Sequence, residues 1–234
     1  MQAVILAGGK GTRLKPFTTC IPKPLVPIDD MPILEYVIRQ LKYYGFKDIV
    51  IAVNHLAELI MAFIGDGKRW GLNIRYSLEE EPLGTAGPLS IIDGLEDDFL
   101  VMNGDLLTTL NYRNFYEFHK TQKSIASVAT YEKIVNIDLG VLKVENGEIC
   151  DYIEKPEYRF TVSAGINMFN KRALESIPAK TRFDIPDLMK VFLKKGEKIN
   201  CFKEDYYWLD IGRVSDYETA VEIIVNRKKE FLPE

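Results

Sequence analysis

Apolar positions along the first 130 residues alternate between a strand rhythm and a helix rhythm. Gln2 to Leu6 is a short continuous apolar run that ends at glycines, as a strand buried on both faces would. Pro32 to Tyr44 carries Ile33, Leu34, Val37, Ile38 and Leu41 at helical spacing, and Gly45 supplies a stop. Asp48 to Val53 returns to the strand pattern. Asn54 is then placed to cap a helix that buries Leu56, Leu59, Ile60 and Phe63. Ile74 to Ser77 and Phe99 to Met102 complete a β-α-β-α-β series, which predicts a mostly parallel sheet covered by helices on both faces.

From about Ser124 the rhythm changes. Ser124 to Tyr131, Gly140 to Val144 and Ile149 to Glu154 read as strands, and Asn146-Gly147 is a two-residue hairpin signal. Helices return at Ile185 to Leu193, with Asp184 as cap, and at Ser215 to about Glu230. No low-complexity linker or internal repeat interrupts the chain. The expectation is one α/β domain over residues 1–234, a Rossmann-like three-layer sandwich with a central mixed, mostly parallel sheet.

Composition narrows the function classes. With 47% apolar and 27% charged residues the chain has the make-up of a globular protein. A net charge of −4 with interspersed signs lacks the basic field of a nucleic-acid binder, so no nucleic-acid partner is expected. No apolar stretch is long enough to span a bilayer, and no amino-terminal signal segment is visible. These features predict a cytoplasmic protein without a membrane partner. Cys20, Cys150 and Cys201 are far apart and read as free thiols, not a zinc site.

The segment Ala7-Gly8-Gly9-Lys10-Gly11-Thr12-Arg13-Leu14 follows the first strand directly, at the end where open α/β sheets bind ligands. Its glycines let backbone N–H groups approach phosphate oxygens, and Arg13 offers a charged planar fork. Two familiar phosphate loops are excluded. The dinucleotide fingerprint needs glycine where this chain has Leu14, and the Walker pattern needs Ser or Thr after Lys10, where Gly11 stands.

Leu6-Ala7-Gly8-Gly9-x-Gly11-Thr12-Arg13-Leu14 with Pro22-Lys23-Pro24-Leu25 resembles the signature of the sugar-1-phosphate nucleotidyltransferases. The resemblance continues through Glu81-Pro82-Leu83-Gly84-Thr85-Ala86-Gly87, Asn103-Gly104-Asp105, Ile153-Glu154-Lys155-Pro156 and Trp208-Leu209-Asp210-Ile211-Gly212, in the family's order and over nearly the whole chain. It implies attack of a sugar 1-phosphate on the α-phosphorus of a nucleoside triphosphate, with release of pyrophosphate. It divides the chain into a nucleotide-binding half, to about residue 110, and a sugar-binding half, from about 111 to 234. The chain ends soon after its last helix, so the β-helix or nucleotide-sensing extensions of some relatives are not expected. A homo-oligomer stays open.

The resemblance also implies roles. Arg13 and Lys23 would be the catalytic cations, and the nucleotide would lie against Leu6, Ala7, Gly8, Gly9, Gly11, Thr12, Arg13, Glu79, Gly84 and Thr85. The sugar phosphate would meet Asn103, Gly140, Glu154, Lys155 and Asn167. Asp105 and Asp210 would bind Mg²⁺, a hard ion suited to carboxylate and phosphate oxygens. Such a site works by positioning and charge stabilisation, because the nucleophile is already an anion.

Glu79 bears on base choice. Thymidylyl-transferring relatives place glutamine at this position, whereas a carboxylate only accepts, and guanine presents two adjacent donors. The run from Glu79 to Pro88 also resembles guanylyltransferases acting on mannose and manno-heptose 1-phosphates. GTP is therefore favoured over thymidylyl, uridylyl or cytidylyl transfer. A glycosyltransferase of similar fold would need an Asp-x-Asp motif, which is absent from the sequence. A catalytically silent regulatory subunit should have lost Arg13, Lys23, Asp105 or Asp210, and all four are present.

Overall fold

In β1 (Gln2–Leu6) the side chains of Ala3, Val4 and Ile5 are all fully buried, so this first strand has core on both faces. The computed structural model describes residues 1–232. After β1 come a small hairpin of β2 (Pro27–Ile28) and β3 (Met31–Pro32), helix α1 (Ile33–Tyr43), β4 (Asp48–Val53), α2 (Ala57–Ile64) and β5 (Asn73–Leu78). Then follow β6 (Asp98–Asn103), β7 (Leu106–Thr108), α3 (Tyr112–Gln122), β8 (Ala126–Asn136), β9 (Val141–Glu145), β10 (Glu148–Ile153) and β11 (Glu157–Asn170). The chain closes with α4 (Ile185–Lys194), β12 (Ile199–Phe202), β13 (Trp208–Asp210) and α5 (Val214–Phe231).

Seven strands form one sheet in the order β12-β8-β11-β6-β1-β4-β5. Only β11 runs antiparallel to its neighbours, β6 and β8; the other four pairings are parallel. Alternate side chains of the central strands feed two cores. Ala3, Ile5, Ile49 and Ile51 pack with Leu34, Val37, Ile60 and Phe115 from α1, α2 and α3. Val4, Val50 and Val101 pack with Leu89, Leu188 and Phe192 on the opposite face, where α4 lies. The period-2 alternation of strands thus makes the three layers. A third cluster, with Leu14, Ile28, Tyr36, Leu107, Ile211 and Ile224, docks α5 beside the end of the sheet that carries the loops.

Most predicted elements appear, and the differences have local causes. Leu56 adopts a left-handed conformation, φ 54°, and takes the cap position expected of Asn54, so α2 starts at Ala57 and buries Ala57, Ile60 and Ile64. Leu59 and Phe63 are exposed instead. Asn54 does not cap this helix; its side-chain amide donates to the Glu79 carbonyl at 2.7 Å. Asp184 occupies the cap position of α4, but its carboxylate accepts from Thr85 and not from the helix. The Asn146-Gly147 turn joins β9 to β10 with φ of 53° and 87°, as a type I′ turn requires. Strand β11 was not anticipated: its charged outer half and apolar inner half serve different surroundings, which breaks any single period.

Candidate active site

The glycine loop leaves the carboxyl end of the central strand, between β4 and β6. Ala7 N–H donates to the Ala52 carbonyl at 2.8 Å and Gly104 N–H to the Leu6 carbonyl at 2.9 Å, which ties three loops together. A Cβ on Gly8 would come 3.0 Å from Glu79 Oε1 and 3.2 Å from Asn54 Cβ. Gly11 has φ +59°, and a Cβ there would lie 3.0 Å from Lys23 Cβ. The loop therefore lies close against Glu79 at one end and Lys23 at the other. Gly9 between them faces open space, and Thr12 and Arg13 are exposed.

Lys23, flanked by Pro22 and Pro24, is 9% exposed. Its Nζ makes a short ion pair with Asp105 Oδ2 and lies 3.8 Å from Asp210 Oδ1. The two carboxylates are brought together by strand pairing. Asp105 immediately precedes β7, Asp210 ends β13, and Leu106 is paired with Asp210 in the antiparallel β7–β13 ladder. Burial pushes the Asp210 carboxyl above its ordinary range, with the neighbouring Asp105 charge acting in the same direction and Lys23 and Arg13 opposing. Asp105 Oδ1 is buried and has no hydrogen-bond partner among the described residues. An orphaned carboxylate oxygen beside a second carboxylate is an arrangement that a cation would relieve. No group of three or more His, Cys, Asp or Glu side chains suited to a metal occurs among the described residues.

A cavity of about 280 Å³ opens beside this cluster. Thr85, Asn103, Asn167, Pro186, Trp208 and Asp210 are among its walls. Asn167 is 1% exposed and its Oδ1 has no partner among the described residues, so the cavity wall carries an unsatisfied buried amide oxygen. Trp208 is held by its indole N–H, which donates to the Ala164 carbonyl at 2.8 Å. At Gly165, φ +70°, a Cβ would come 2.8 Å from the Asn103 amide, so glycine admits that side chain. A larger cavity, about 560 Å³, lies on the far side of the Glu79 to Gly87 loop, lined by Arg75, Glu80, Glu81 and Lys180. It holds Glu81 and Leu83 of the motif blocks but none of the residues given a role, whereas the smaller one gathers Thr85, Asn103, Asn167 and Asp210 and is the site the chemistry marks.

Glu79 is 6% exposed, whereas Glu80 and Glu81 are at the surface. Its Oε2 accepts the Leu83 N–H at 2.9 Å, and its Oε1 is the atom beside Gly8. Burial raises the Glu79 carboxyl above its ordinary range, and the Leu83 hydrogen bond partly counters this. Of the three consecutive glutamates, one is therefore an internal group aimed at the glycine loop.

The sugar-side residues are divided. Asn103 and Asn167 line the cavity; Gly140, Glu154 and Lys155 do not. Glu154 and Lys155 are exposed, and Lys155 has φ +44°. The Gly140 α-carbon is covered by the Tyr152 ring across the β9–β10 hairpin, so its open face is filled from within. Thr85, placed with the nucleotide by motif, lines the same cavity as Asn103 and Asn167. Ser163 and Pro186, which line the cavity, and Asp184, which holds Thr85 and which the sequence marks only as a helix cap, carry no local sign of a place here; strands and loops distant in sequence bring them together.

Residues 2–227 match the profile of the family described as Nucleotidyl transferase. The UTP–glucose-1-phosphate uridylyltransferase of Synechocystis sp. is 33% identical over 97% of this chain and 64% of its own length. The mannose-1-phosphate guanylyltransferase catalytic subunit beta of Dictyostelium discoideum is 31% identical over 100% of the chain and 67% of its own. The chain thus spans about two thirds of these relatives. HddC from Yersinia pseudotuberculosis, solved with GMP-PN, superposes with a TM-score of 0.72 at 26% identity, covering 94% of this chain and 98% of that one.

Proposed function

The chain belongs to the nucleotidyl transferase family, and from that premise we propose that it transfers a nucleotidyl group from a triphosphate to a sugar 1-phosphate. A phosphate oxygen of the sugar 1-phosphate forms a bond to the α-phosphorus. The bond from the α-phosphorus to the bridging oxygen breaks, and pyrophosphate leaves with that electron pair. The observation that carries this reading is the Lys23–Asp105–Asp210 cluster, set between a glycine loop and a cavity lined with amides. Both substrates are anions, so the barrier includes their mutual repulsion, and fixed positive charge is the chief requirement. Lys23 offers a charge already desolvated and aimed. Arg13, exposed in the loop and close enough to act on Asp210, binds the outer phosphates.

Asp105 and Asp210 fit a Mg²⁺ ion, since Asp105 Oδ1 lacks any other partner. When bound, the ion neutralises phosphate charge and orients the displacement. Residues up to about 110 hold the nucleotide and those beyond hold the sugar, with the cavity wall shared between them. Glu79 Oε1, beside Gly8, is placed to accept from a base lying on the glycine loop. An ionised carboxylate suits the two adjacent donors of guanine, so GTP is the favoured nucleotide and a mannose or manno-heptose 1-phosphate the favoured acceptor. The relatives named above include one that uses UTP, so the support for GTP is Glu79 itself. A cytoplasmic location is part of this reading; no described helix is long and apolar enough to cross a membrane.

The test is direct. The protein is incubated with Mg²⁺, each of the common triphosphates and a panel of sugar 1-phosphates, and pyrophosphate is measured. Release with GTP and a manno-configured 1-phosphate supports the full reading. Release only with UTP or dTTP overturns the base assignment, and no release with any pair overturns the reaction.

A further inference from the structure

The loop from Glu79 to Gly87 has a function at each end. At one end Glu79 faces the glycine loop and is joined to Leu83 by its N–H. At the other end Thr85 forms part of the cavity wall. What fixes this loop is a segment about 100 residues away in sequence. Phe183 N–H donates to the Leu83 carbonyl, and the Phe183 carbonyl accepts from Ala86 and Gly87, each at 2.9 Å. Asp184 Oδ1 accepts the Thr85 N–H at 2.9 Å and the Thr85 hydroxyl at 3.2 Å, while the Ile185 N–H donates back to that hydroxyl at 2.8 Å. Gly84, φ +81°, makes the approach feasible, because a Cβ there would lie 2.6 Å from Asp184 Oδ1. Of these contacts, only those of Asp184 and Thr85 use side chains.

We propose that Asp184 is a positioning residue that sets substrate specificity by latching the base-facing loop to the amino-terminal end of α4. This rests on the transferase reading above. The geometry has two consequences. The Thr85 hydroxyl is used in both directions, donating to Asp184 and accepting from Ile185, so it is occupied by the latch. Polar recognition in the cavity then falls to the other polar side chains of its wall, among them Asn103 and Asn167; the Asn167 Oδ1 has no partner among the described residues and calls for a donor such as a sugar hydroxyl. Ile185 and Pro186, on the other side of the latch, line the same cavity, so Asp184 sets the distance between its two walls. Through Leu83 and Glu79 the same latch bears on the base.

The test compares Asp184→Ala, Asp184→Asn and Thr85→Val in steady-state kinetics, thermal stability and amide exchange. Asp184→Ala should raise KM for the sugar 1-phosphate about tenfold and shift the GTP-to-UTP ratio of kcat/KM several-fold, with kcat changing less than about threefold. Asp184→Asn should stay within about threefold of wild type, because its amide oxygen still accepts the Thr85 N–H. Thr85→Val should weaken the latch further even when Asp184 is alanine, because it also removes the acceptor of the Ile185 N–H. A loss of kcat alone, in step with lost thermal stability and not restored by asparagine, would reveal a merely structural residue and overturn the proposal. So would unchanged KM and ratio in an active enzyme. Exchange at the Thr85 and Ile185 amides gives an answer that does not depend on activity. Protection should fall in Asp184→Ala, and unchanged protection overturns the latch. If wild type transfers nothing while protection does fall, the transferase reading fails and the latch survives as structure.

Discussion

Lys23 and Glu79 are almost wholly buried and each is held by named partners, whereas the arm formed by residues 133–160 is nearly all surface. The arm's apolar side chains are open too: Ile134, Leu142, Ile149, Tyr152 and Phe160 are 43–64% exposed. Yet the arm carries Glu154 and Lys155, the residues that the family motif assigns to the sugar phosphate. The contrast has a physical reading. On the proposed reading, charges that act on the reacting phosphates are set in advance beside the sheet, where burial strengthens them and no reorganisation is needed. Glu154 and Lys155, which that reading gives to the incoming sugar phosphate, stand in an exposed bend after β10 with little core around them.

The largest effect should come from the set charges. Asp105→Asn keeps the shape but removes a ligand charge and weakens the hold on Lys23, so turnover should fall by at least ~100-fold. Excess chelator should abolish pyrophosphate release from wild type. Full activity under chelator would remove Mg²⁺ from the site, and an active Asp105→Asn protein would mean that the buried cluster is not where the reaction occurs. Lys23→Ala belongs with this group and should lower kcat whichever substrate is varied.

Next in size is the base. Glu79→Gln replaces an acceptor by a group that must either turn an amide donor toward guanine's donors or keep only part of the contact. Loss of a charge-assisted hydrogen bond costs about 1.5–3 kcal/mol, hence roughly ten- to 150-fold in the GTP-to-UTP ratio of kcat/KM. A folding defect would lower both nucleotides together and leave the ratio alone. An unchanged ratio would shift base choice to backbone contacts near Gly8 or Gly84 and take away the main support for GTP.

How far the sequence could be read follows the same division. Where a candidate group and the fold share a local pattern, its place is legible: the glycine loop after β1, the carboxylate just past β6, and the α1 face are all continuous in sequence. Glu79 could be singled out by alignment with a glutamine, but its burial could not, since Glu80 and Glu81 beside it are exposed. The role of Asp184 was invisible for a different reason. An aspartate before a helix fits a cap equally well, and only the fold brings Thr85 close enough to compete for it. The arm shows the opposite failure. Its hairpin strands were legible, the outer parts of β8 and β11 were not, and strand patterning says nothing about how far Glu154 and Lys155 stand from the cavity.

Lys155→Ala tests the arm. It should raise KM for the sugar 1-phosphate about tenfold while kcat and the KM for nucleotide change little, because an exposed cation contributes mainly uniform binding. If it instead lowers kcat as Lys23→Ala does, the arm delivers Lys155 to the reacting phosphates and the contrast between the two regions dissolves.

The smallest effect is the pH dependence of base choice. The Glu79 carboxyl is raised by burial, so its proton is lost at higher pH than from an ordinary carboxylate. Below its folded pKa Glu79 carries a proton and can donate, which opposes guanine's donors; above it the carboxylate only accepts. The GTP-to-UTP ratio of kcat/KM should therefore rise with pH, through a midpoint above the usual carboxylate range, when followed from about pH 5 to about pH 8. Using kcat/KM makes the midpoint report the free enzyme, before guanine itself draws the equilibrium toward the ionised form. Titration of the triphosphate and of Asp210 affects both nucleotides alike and cancels in the ratio. The change should be about threefold to tenfold, less than for Glu79→Gln, because the Leu83 N–H at 2.9 Å favours the ionised state and limits how fully Glu79 protonates. In Glu79→Gln the ratio should be flat with pH. A pH-dependent ratio that persists in that variant would place the titrating group elsewhere, and a flat ratio in wild type would mean that Glu79 does not face the base.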